Sequence, residues 1–226
     1  MKEKVTAIIV AAGSGKRMGS DIPKQFMIVN GRPVLYYTLC AFEESSVDDI
    51  CIVTSSEYIP YVQNKIVMKY GFQKVSHVVL GGKERSDSVY QGLLADISSY
   101  VLVHDGARPY IHSDLINHVI EEVKEKKAVV LGVPVKDTIK IVDSTGCVED
   151  TPNRNSLWAI QTPQAFEYQL IKSSYEYVME YNIPVTDDSM AVECASENEI
   201  YICHGDYMNI KITTPEDLYF AEQLLK

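Results

Sequence analysis

The stretch VTAIIVAAGSGKRMG, residues 5–19, joins a run of apolar and β-branched residues to a glycine-rich turn. The apolar run is typical of a strand buried on both faces of a parallel sheet. The three glycines of the turn let backbone N–H groups converge on an anion, and Lys16 and Arg17 add positive charge. The stretch therefore predicts a strand followed by a phosphate-binding loop, although an ordinary turn with solvated bases also fits it.

Neither of two familiar phosphate-loop patterns matches this turn. A Walker loop has glycine at the position of Val10 and serine or threonine at the position of Arg17. A dinucleotide fingerprint has glycine or alanine where Met18 stands. The loop is therefore expected to bind phosphate in some other way.

The composition is that of a protein that can fold around an apolar core without disulfide bonds or a structural metal. The chain has 226 residues, 46% of them hydrophobic, and a formal net charge of −10. This charge argues against a nucleic-acid or anionic-membrane partner, but allows a small phosphate ligand where cations gather. The five cysteines form no Cys-x-x-Cys pair, and no apolar run reaches the length of a membrane span. We therefore expect reduced thiols in a cytoplasmic protein.

Apolar runs of strand length alternate with segments of helical period along most of the chain. This alternation predicts an α/β, Rossmann-like fold, a mostly parallel sheet with helices on both faces. The expected strands are Val5–Ala11, Ile50–Thr54, Val75–Leu80, Val101–His104, Ala128–Val133 and Glu199–Cys203. The expected helices are Pro33–Glu44, Ile59–Tyr70, Arg85–Ile97, Asp114–Lys126 (capped by Ser113 with Asp114), Phe166–Tyr181, Asp187–Ala195 and one that Pro215 opens.

The alternation breaks near Val135. Residues 137–161 are polar and rich in turn formers, with strand-like alternation in Thr138–Val142. We interpret this segment as a β-rich arm inserted into one α/β domain that spans residues 1–226.

Two further motifs follow predicted strands. The glycine pair 81–82 lets a flat group approach the backbone, and Arg85 and Ser88 share a face of the helix that begins there. Asp105 ends the next apolar run and Arg108 follows three residues later, which predicts a carboxylate suited to Mg²⁺ at the edge of the sheet. A helix cap in the first motif, and an Asp–Arg pair that only closes a loop in the second, are the alternatives.

These motifs belong to a larger ordered set. Eight blocks occur in order along the chain: AAGSGKRMG (11–19), PKQ (23–25), GGKERSDSV (81–89), HDGARP (104–109), KDTIK (136–140), QTPQ (161–164), TDD (186–188) and NIKIT (209–213). With these blocks the chain resembles, over nearly its whole length, the 2-C-methyl-D-erythritol 4-phosphate cytidylyltransferase family of the non-mevalonate isoprenoid pathway.

The resemblance implies a reaction of CTP with a small polyol phosphate, with Mg²⁺ as cofactor, in a homodimer whose arm inserts into the partner subunit's active site. It implies catalytic roles for Arg17, Lys24 and Lys211. It implies nucleotide contacts from Ala11, Ala12, Gly13, Ser14, Gly15, Gly82 and Ser88. It implies substrate contacts from Asp105, Arg108, Thr138, Arg154 and Thr162, with Asp105 also holding the metal and with Thr138 and Arg154 reaching across the dimer.

Three other functions remain open at this point. Ribitol-5-phosphate cytidylyltransferases tend to have glycine where this chain has Ala12 and threonine where it has Ser88. An inactive nucleotide-binding regulatory module would be expected to have lost Lys24, Asp105 or Lys211, which are all present. A hexose-phosphate nucleotidyltransferase shares the glycine-rich start but lacks the QTPQ and NIKIT blocks.

Overall fold

The computed structural model describes residues 3–13, 22–95 and 97–225, which form an alternation of strands and helices. The strands are β1 (Val5–Ala11), β2 (Ile28–Val29), β3 (Arg32–Pro33), β4 (Asp49–Thr54), β5 (Val75–Leu80), β6 (Tyr100–Asp105), β7 (Ala128–Pro134), β8 (Ile141–Val142), β9 (Val148–Asp150), β10 (Trp158–Glu167) and β11 (Tyr201–His204). The helices are α1 (Val34–Glu44), α2 (Ile59–Tyr61), α3 (Met68–Tyr70), α4 (Arg85–Ala95), α5 (Ser113–Lys126), α6 (Tyr168–Glu180), α7 (Asp188–Ala195) and α8 (Pro215–Leu224). A π-helical turn, Val62–Val67, joins α2 to α3 into the single helical segment that the sequence predicts.

A seven-stranded sheet in the order β11-β7-β10-β6-β1-β4-β5 is the centre of the fold. The pairs β1–β4, β1–β6, β4–β5 and β7–β11 are parallel, and β10 runs antiparallel to both β6 and β7. The prediction of a mostly parallel α/β sheet is therefore confirmed.

Both faces of the sheet are covered, because successive side chains of a strand point to opposite sides. In β1, Ala7 and Ile9 belong to the apolar cluster that includes residues of α1 and α5, whereas Ile8 belongs to the cluster that includes residues of α4, α6 and α7. Strands buried in this way need no polar face, which explains their nearly continuous apolar sequences.

The strand β10 is absent from the sequence-based prediction, which was wrong on two counts here. It assigned residues up to 161 to the arm and began a helix at Phe166, whereas β10 covers Trp158–Glu167 and α6 begins at Tyr168. The polar block Gln161–Gln164, with Pro163 inside it, interrupts the apolar pattern by which a buried strand is recognised. Its polar side chains make hydrogen bonds rather than apolar contacts in the core. The ladder with β7 also shifts register between Ile160 and Gln164.

Smaller differences concern element ends. The cap of α5 is His112, whose ring nitrogen accepts a hydrogen bond from the Leu115 N–H at 3.3 Å, and not Ser113 with Asp114. The strand predicted at Glu199–Cys203 runs from Tyr201 to His204, and α4 ends at Ala95 rather than Ile97.

The segment that the sequence predicts to be a β-rich arm forms a small hairpin outside the main sheet. Its strands β8 and β9 pair only with each other in the described structure. Ile141, Val142 and Val148 on this hairpin are about half exposed. Among the described residues, no helix is long and apolar enough to cross a bilayer.

We predict that Phe166→Ala destabilises the protein by about 3–5 kcal/mol, because the ring is completely buried and its removal leaves a cavity under β10. Urea unfolding would measure the change. Phe220→Ala is the matched control, since that ring is 55% exposed on α8 and its loss should change the free energy of unfolding by less than about 0.5 kcal/mol. Equal effects of the two substitutions would contradict the assignment of Phe166 to the core.

Candidate active site

The candidate site lies at the edge of the sheet where β1 and β6 end side by side. Val10 is the register partner of Asp105, and the Gly106 N–H donates to the Val10 carbonyl oxygen at 2.9 Å. The end of β1, where the glycine loop begins, and the carboxylate that ends β6 are therefore neighbours. Open α/β sheets bind their ligands at this carboxyl edge.

Three cations surround the Asp105 carboxylate, which is only 10% exposed. Lys211 Nζ lies 2.8 Å from Oδ2, Arg85 Nε donates to Oδ1 at 3.3 Å, and Arg108 Nε lies 3.6 Å from Oδ2. Burial alone would raise the pKa of Asp105, but these positive charges outweigh it and hold the pKa well below its usual range. Asp105 is therefore ionised at any physiological pH.

His104 and Thr162 hold the backbone of Asp105. The Asp105 N–H donates to Thr162 Oγ1 at 3.1 Å, and that oxygen lies 3.1 Å from His104 Nδ1. Burial lowers the pKa of His104 to about 3, so the ring is neutral. We assign the Thr162 hydroxyl proton to His104 Nδ1, and the ring proton to Nε2, which faces the Arg108 carbonyl oxygen at 3.4 Å. His104 is thus a buried residue that supports the position of Asp105.

Asn209 fastens the segment that carries Lys211. Its buried side-chain amide donates to the Thr162 backbone carbonyl oxygen at 2.9 Å, and the backbone carbonyl oxygen of Asn209 accepts from Arg108 Nη1 at 2.7 Å. The Ile212 N–H donates to the Ala107 carbonyl oxygen at 2.9 Å. These bonds bring the ammonium of Lys211 to Asp105 from a part of the chain more than 100 residues away.

Gln25 fixes the start of the glycine loop. Its buried side-chain amide donates to the carbonyl oxygens of Ala11 at 2.7 Å and Gly13 at 2.9 Å. Thr54 Oγ1 donates to the same Ala11 oxygen at 3.1 Å. Lys24 precedes Gln25 in a short 3₁₀ turn and is half-buried. The remaining predicted residues of this loop, Ser14, Gly15 and Arg17, lie outside the described residues.

The loop after β5 packs closely enough that both of its glycines are required. A Cβ on Gly81 would lie 2.7 Å from Ala12 Cβ, and one on Gly82 would lie 2.1 Å from Asp87 Cβ. The Ser88 hydroxyl accepts from the Gly82 N–H at 3.1 Å and donates to the Glu84 carbonyl oxygen at 3.0 Å. The glycine pair thus presents a rigid backbone beside the first loop.

Thr138 and Arg154 belong to the arm. Thr138 is exposed, and Arg154 Nη1 donates to the Lys136 carbonyl oxygen at 2.9 Å. Arg154 also lines a cavity of about 410 Å³ at the base of the arm, together with Pro134, Val135, Lys136, Asn155 and Trp158. The structure thus brings Asp105, Arg108, Thr162 and Lys211 into one contacting cluster and places the arm residues in another.

The sequence analysis assigned no role to four residues that build this site. Arg85, Gln25 and Asn209 stand in the quoted blocks, so their polar side chains are the available signal. The fourth, Asp188, follows Asp187, the cap residue of α7, and is completely buried. The apolar run that ends at His104 predicts a core residue there, and only the structure shows its contact with Thr162.

An α/β sheet whose carboxyl edge carries the start of a glycine loop and a carboxylate ringed by cations is the kind of site at which nucleotidyltransferases bind polyphosphate substrates. The profile of the 2-C-methyl-D-erythritol 4-phosphate cytidylyltransferase family matches residues 5–226. The chain belongs to this family.

Individual relatives agree along the full length. A 2-C-methyl-D-erythritol 4-phosphate cytidylyltransferase of Lachnoclostridium phytofermentans is 54% identical over 99% of this chain and 97% of its own. One from Clostridium perfringens is 47% identical over 99% of both chains. The crystal structure of 4-diphosphocytidyl-2C-methyl-D-erythritol synthase from Anaerococcus prevotii superposes with a TM-score of 0.87 at 36% identity, covering 98% of this chain and 95% of that one.

We predict that Gln25→Leu destabilises the protein by about 1–3 kcal/mol, because the hydrogen bonds to the Ala11 and Gly13 carbonyl oxygens are both lost, and only Ala11 keeps a second donor, Thr54. Urea unfolding would measure this. Gln73→Leu is the matched control, since that exposed amide donates to one carbonyl oxygen at the surface. A Gln25 variant as stable as the control would show that the loop is held by other contacts.

Proposed function

We propose that this chain transfers the cytidylyl group of CTP to 2-C-methyl-D-erythritol 4-phosphate, giving 4-diphosphocytidyl-2-C-methyl-D-erythritol and pyrophosphate. Its family supports this reaction, and the charge around Asp105 is the observation that carries it. Arg85, Arg108 and Lys211 outnumber the carboxylates Asp105 and Asp188 by one, although the chain as a whole is strongly acidic. A local excess of positive charge attracts polyphosphate substrates.

The reaction needs positioning and charge rather than a protein nucleophile. A phosphate oxygen of the polyol phosphate attacks the α-phosphorus of CTP, the new P–O bond forms, and the bond from the α-phosphorus to the bridging oxygen breaks in line with it. Pyrophosphate leaves with that bonding pair. Fixed cations stabilise the negative charge that shifts to the leaving group.

The two loops beside β1 are suited to hold the nucleotide. The first begins with carbonyl groups that Gln25 fixes, and the second presents the backbone at 81–82. A close backbone of this kind accommodates a single pyrimidine ring more easily than a purine. We assign the nucleotide contacts to Ala11, Ala12, Gly13, Ser14, Gly15, Gly82 and Ser88, and the stabilisation of the reacting phosphates to Arg17, Lys24 and Lys211.

The polyol phosphate is assigned to the Asp105 cluster. The Asp105 carboxylate accepts hydrogen bonds from the substrate hydroxyl groups, and Arg108 adds positive charge on the same side. Thr162 acts by holding the backbone of Asp105, since its hydroxyl is occupied by Asp105 N–H and His104. Thr138 and Arg154 of the arm complete the phosphate site in the other subunit.

The donor set fits Mg²⁺ held mainly by substrate. Among the described residues no group of three histidine, cysteine or carboxylate side chains lies close enough to bind a metal alone. Asp105 supplies one ionised carboxylate, and Mg²⁺ commonly binds one or two carboxylates together with substrate phosphates. Bound there, the ion would neutralise phosphate charge. Asp105 is the residue that would hold it.

The arm supports a homodimer in which one domain, residues 1–226, is completed by its partner. Its hairpin stands outside the main sheet, and Ile139, Ile141, Val142 and Val148 are 40–53% exposed. Exposed apolar side chains on so small a hairpin need a surface to cover them. In a two-fold dimer the exchange of arms is reciprocal, so each subunit receives Thr138 and Arg154 from the other.

The cysteines support a cytoplasmic location. Cys40, Cys147, Cys194 and Cys203 form no disulfide in the described part of the chain, and Cys203 is buried. Thiols in this state suit a reducing compartment.

The activity is tested by incubating the protein with Mg²⁺ and one nucleotide and one acceptor at a time, and measuring pyrophosphate. We expect turnover with CTP and methylerythritol phosphate, and little with ATP, GTP or ribitol 5-phosphate. Preferred use of ribitol 5-phosphate would assign the chain to the related cytidylyltransferase. No turnover with either acceptor would support the inactive regulatory module.

Sharing of the site is tested with Lys24→Ala and Arg154→Ala, each expected to be nearly inactive. Removing a charge that stabilises the transition state costs on the order of 100- to 1000-fold in rate. After dissociation and reassortment, about half of the dimers should be mixed, each with one intact site, so about a quarter of wild-type activity should return. Mass spectrometry would confirm mixing. Confirmed mixing without recovery would place both residues in the same subunit's site.

A further inference from the structure

Asp188 is a completely buried carboxylate that the proposed reaction does not use. It begins α7, directly after the cap residue Asp187. A buried charge is stable only when it is paired and hydrogen-bonded. The partners of Asp188 therefore show what the residue does.

Both oxygens of Asp188 are occupied. Arg85 Nη1 donates to Oδ1 at 2.9 Å and Arg85 Nη2 donates to Oδ2 at 2.7 Å, which is a two-pronged pair. The Tyr175 hydroxyl donates to Oδ1 at 2.6 Å from the core of α6. Asp188 thus holds the end of the guanidinium in one orientation.

This orientation decides how Arg85 meets Asp105. Because both Nη groups point to Asp188, only Nε faces Asp105, and it makes a single long hydrogen bond of 3.3 Å. The guanidinium restrains the Asp105 carboxylate from one side without enclosing it. A carboxylate has about four acceptor positions, so Asp105 keeps some of them for a ligand.

We propose that Asp188 is a positioning residue which acts through Arg85: it keeps the guanidinium from pairing end-on with Asp105 and so leaves that carboxylate available to the polyol. The inference rests on the proposed function. If Asp188 loses its charge, Asp105 becomes the nearest carboxylate that contacts Arg85. The guanidinium can then turn and donate two hydrogen bonds to Asp105. The substrate hydroxyls then have to compete with Arg85.

If Asp188 acts through Arg85, a double-mutant cycle of the two residues shows it. Asp188→Asn should lower kcat/KM on the order of 100-fold, the usual cost of a misplaced site group. The loss should appear in kcat and in the KM for methylerythritol phosphate, with the KM for CTP unchanged. Adding Arg85→Met to Asp188→Asn should restore part of the activity, because the competing guanidinium is gone, so the double variant should match Arg85→Met alone.

A purely structural role gives a different result. The kinetic constants, expressed per folded molecule, would then remain within about threefold of wild type. Thermal unfolding would measure the folded fraction of each variant. That outcome, or a double variant that loses the product of the two single effects, would overturn the proposal. Asp187→Ala is the matched control: it removes the cap of α7 and should lower Tm, but leave both KM values and kcat unchanged. The same kinetic defect in this control would also overturn the proposal.

A second variant serves if Asp188→Asn does not fold. Tyr175→Phe keeps the ring packing and the ion pair and removes only the hydroxyl that orients Asp188. We expect it to fold and to show a loss of several-fold with the same pattern of kcat and KM; unchanged constants would reject the proposal. Wild-type enzyme without activity on CTP and methylerythritol phosphate would reject the proposed function instead, so the two failures are distinct.

Discussion

The carboxylate of Asp105 is the group on which the arrangement of the site depends. It sits nearly buried at the end of a central strand, and an ionised group there is stable only with partners. The cations that meet it come from three separate parts of the chain: Arg85, Arg108 and Lys211. Each cation has to be anchored in turn, and those anchors determine how the loops around the edge of the sheet lie.

The antiparallel strand β10 is what lets a mostly parallel sheet surround this carboxylate. A strand that runs the other way begins at the edge where its neighbours end, so its first residues pair with the end of β7 and its middle residues reach the end of β6. Thr162 meets the Asp105 backbone there, and Gln164 reaches the start of α7 through the Ser189 N–H and the Asp187 carboxylate. The same strand connects the arm to the core.

The glycine loops illustrate how packing and function coincide. Gly81 lies so close to Ala12 that no side chain fits between the loops, and Gly82 is closed off by Asp87. Both glycines are thus required by the packing of the protein itself, and not only by the approach of a ligand. The backbone N–H of Gly82 is already bound to Ser88, so the loop has its shape before any nucleotide arrives.

The sequence by itself determined the α/β class, the strand Val5–Ala11, the helical segment 59–70 and the family, because apolar periodicity and ordered motifs are local properties. It also placed Asp105 and Arg108 together, since only two residues lie between them. Only the tertiary structure decided that β10 enters between β6 and β7, that Lys211 reaches Asp105, and that Asp188 holds Arg85 rather than merely beginning a helix. The contacts of Lys211 with Asp105 and of Asp188 with Arg85 each join residues more than 100 apart. The energy of pairing a buried charge depends on the folded surroundings rather than on any neighbour in the chain.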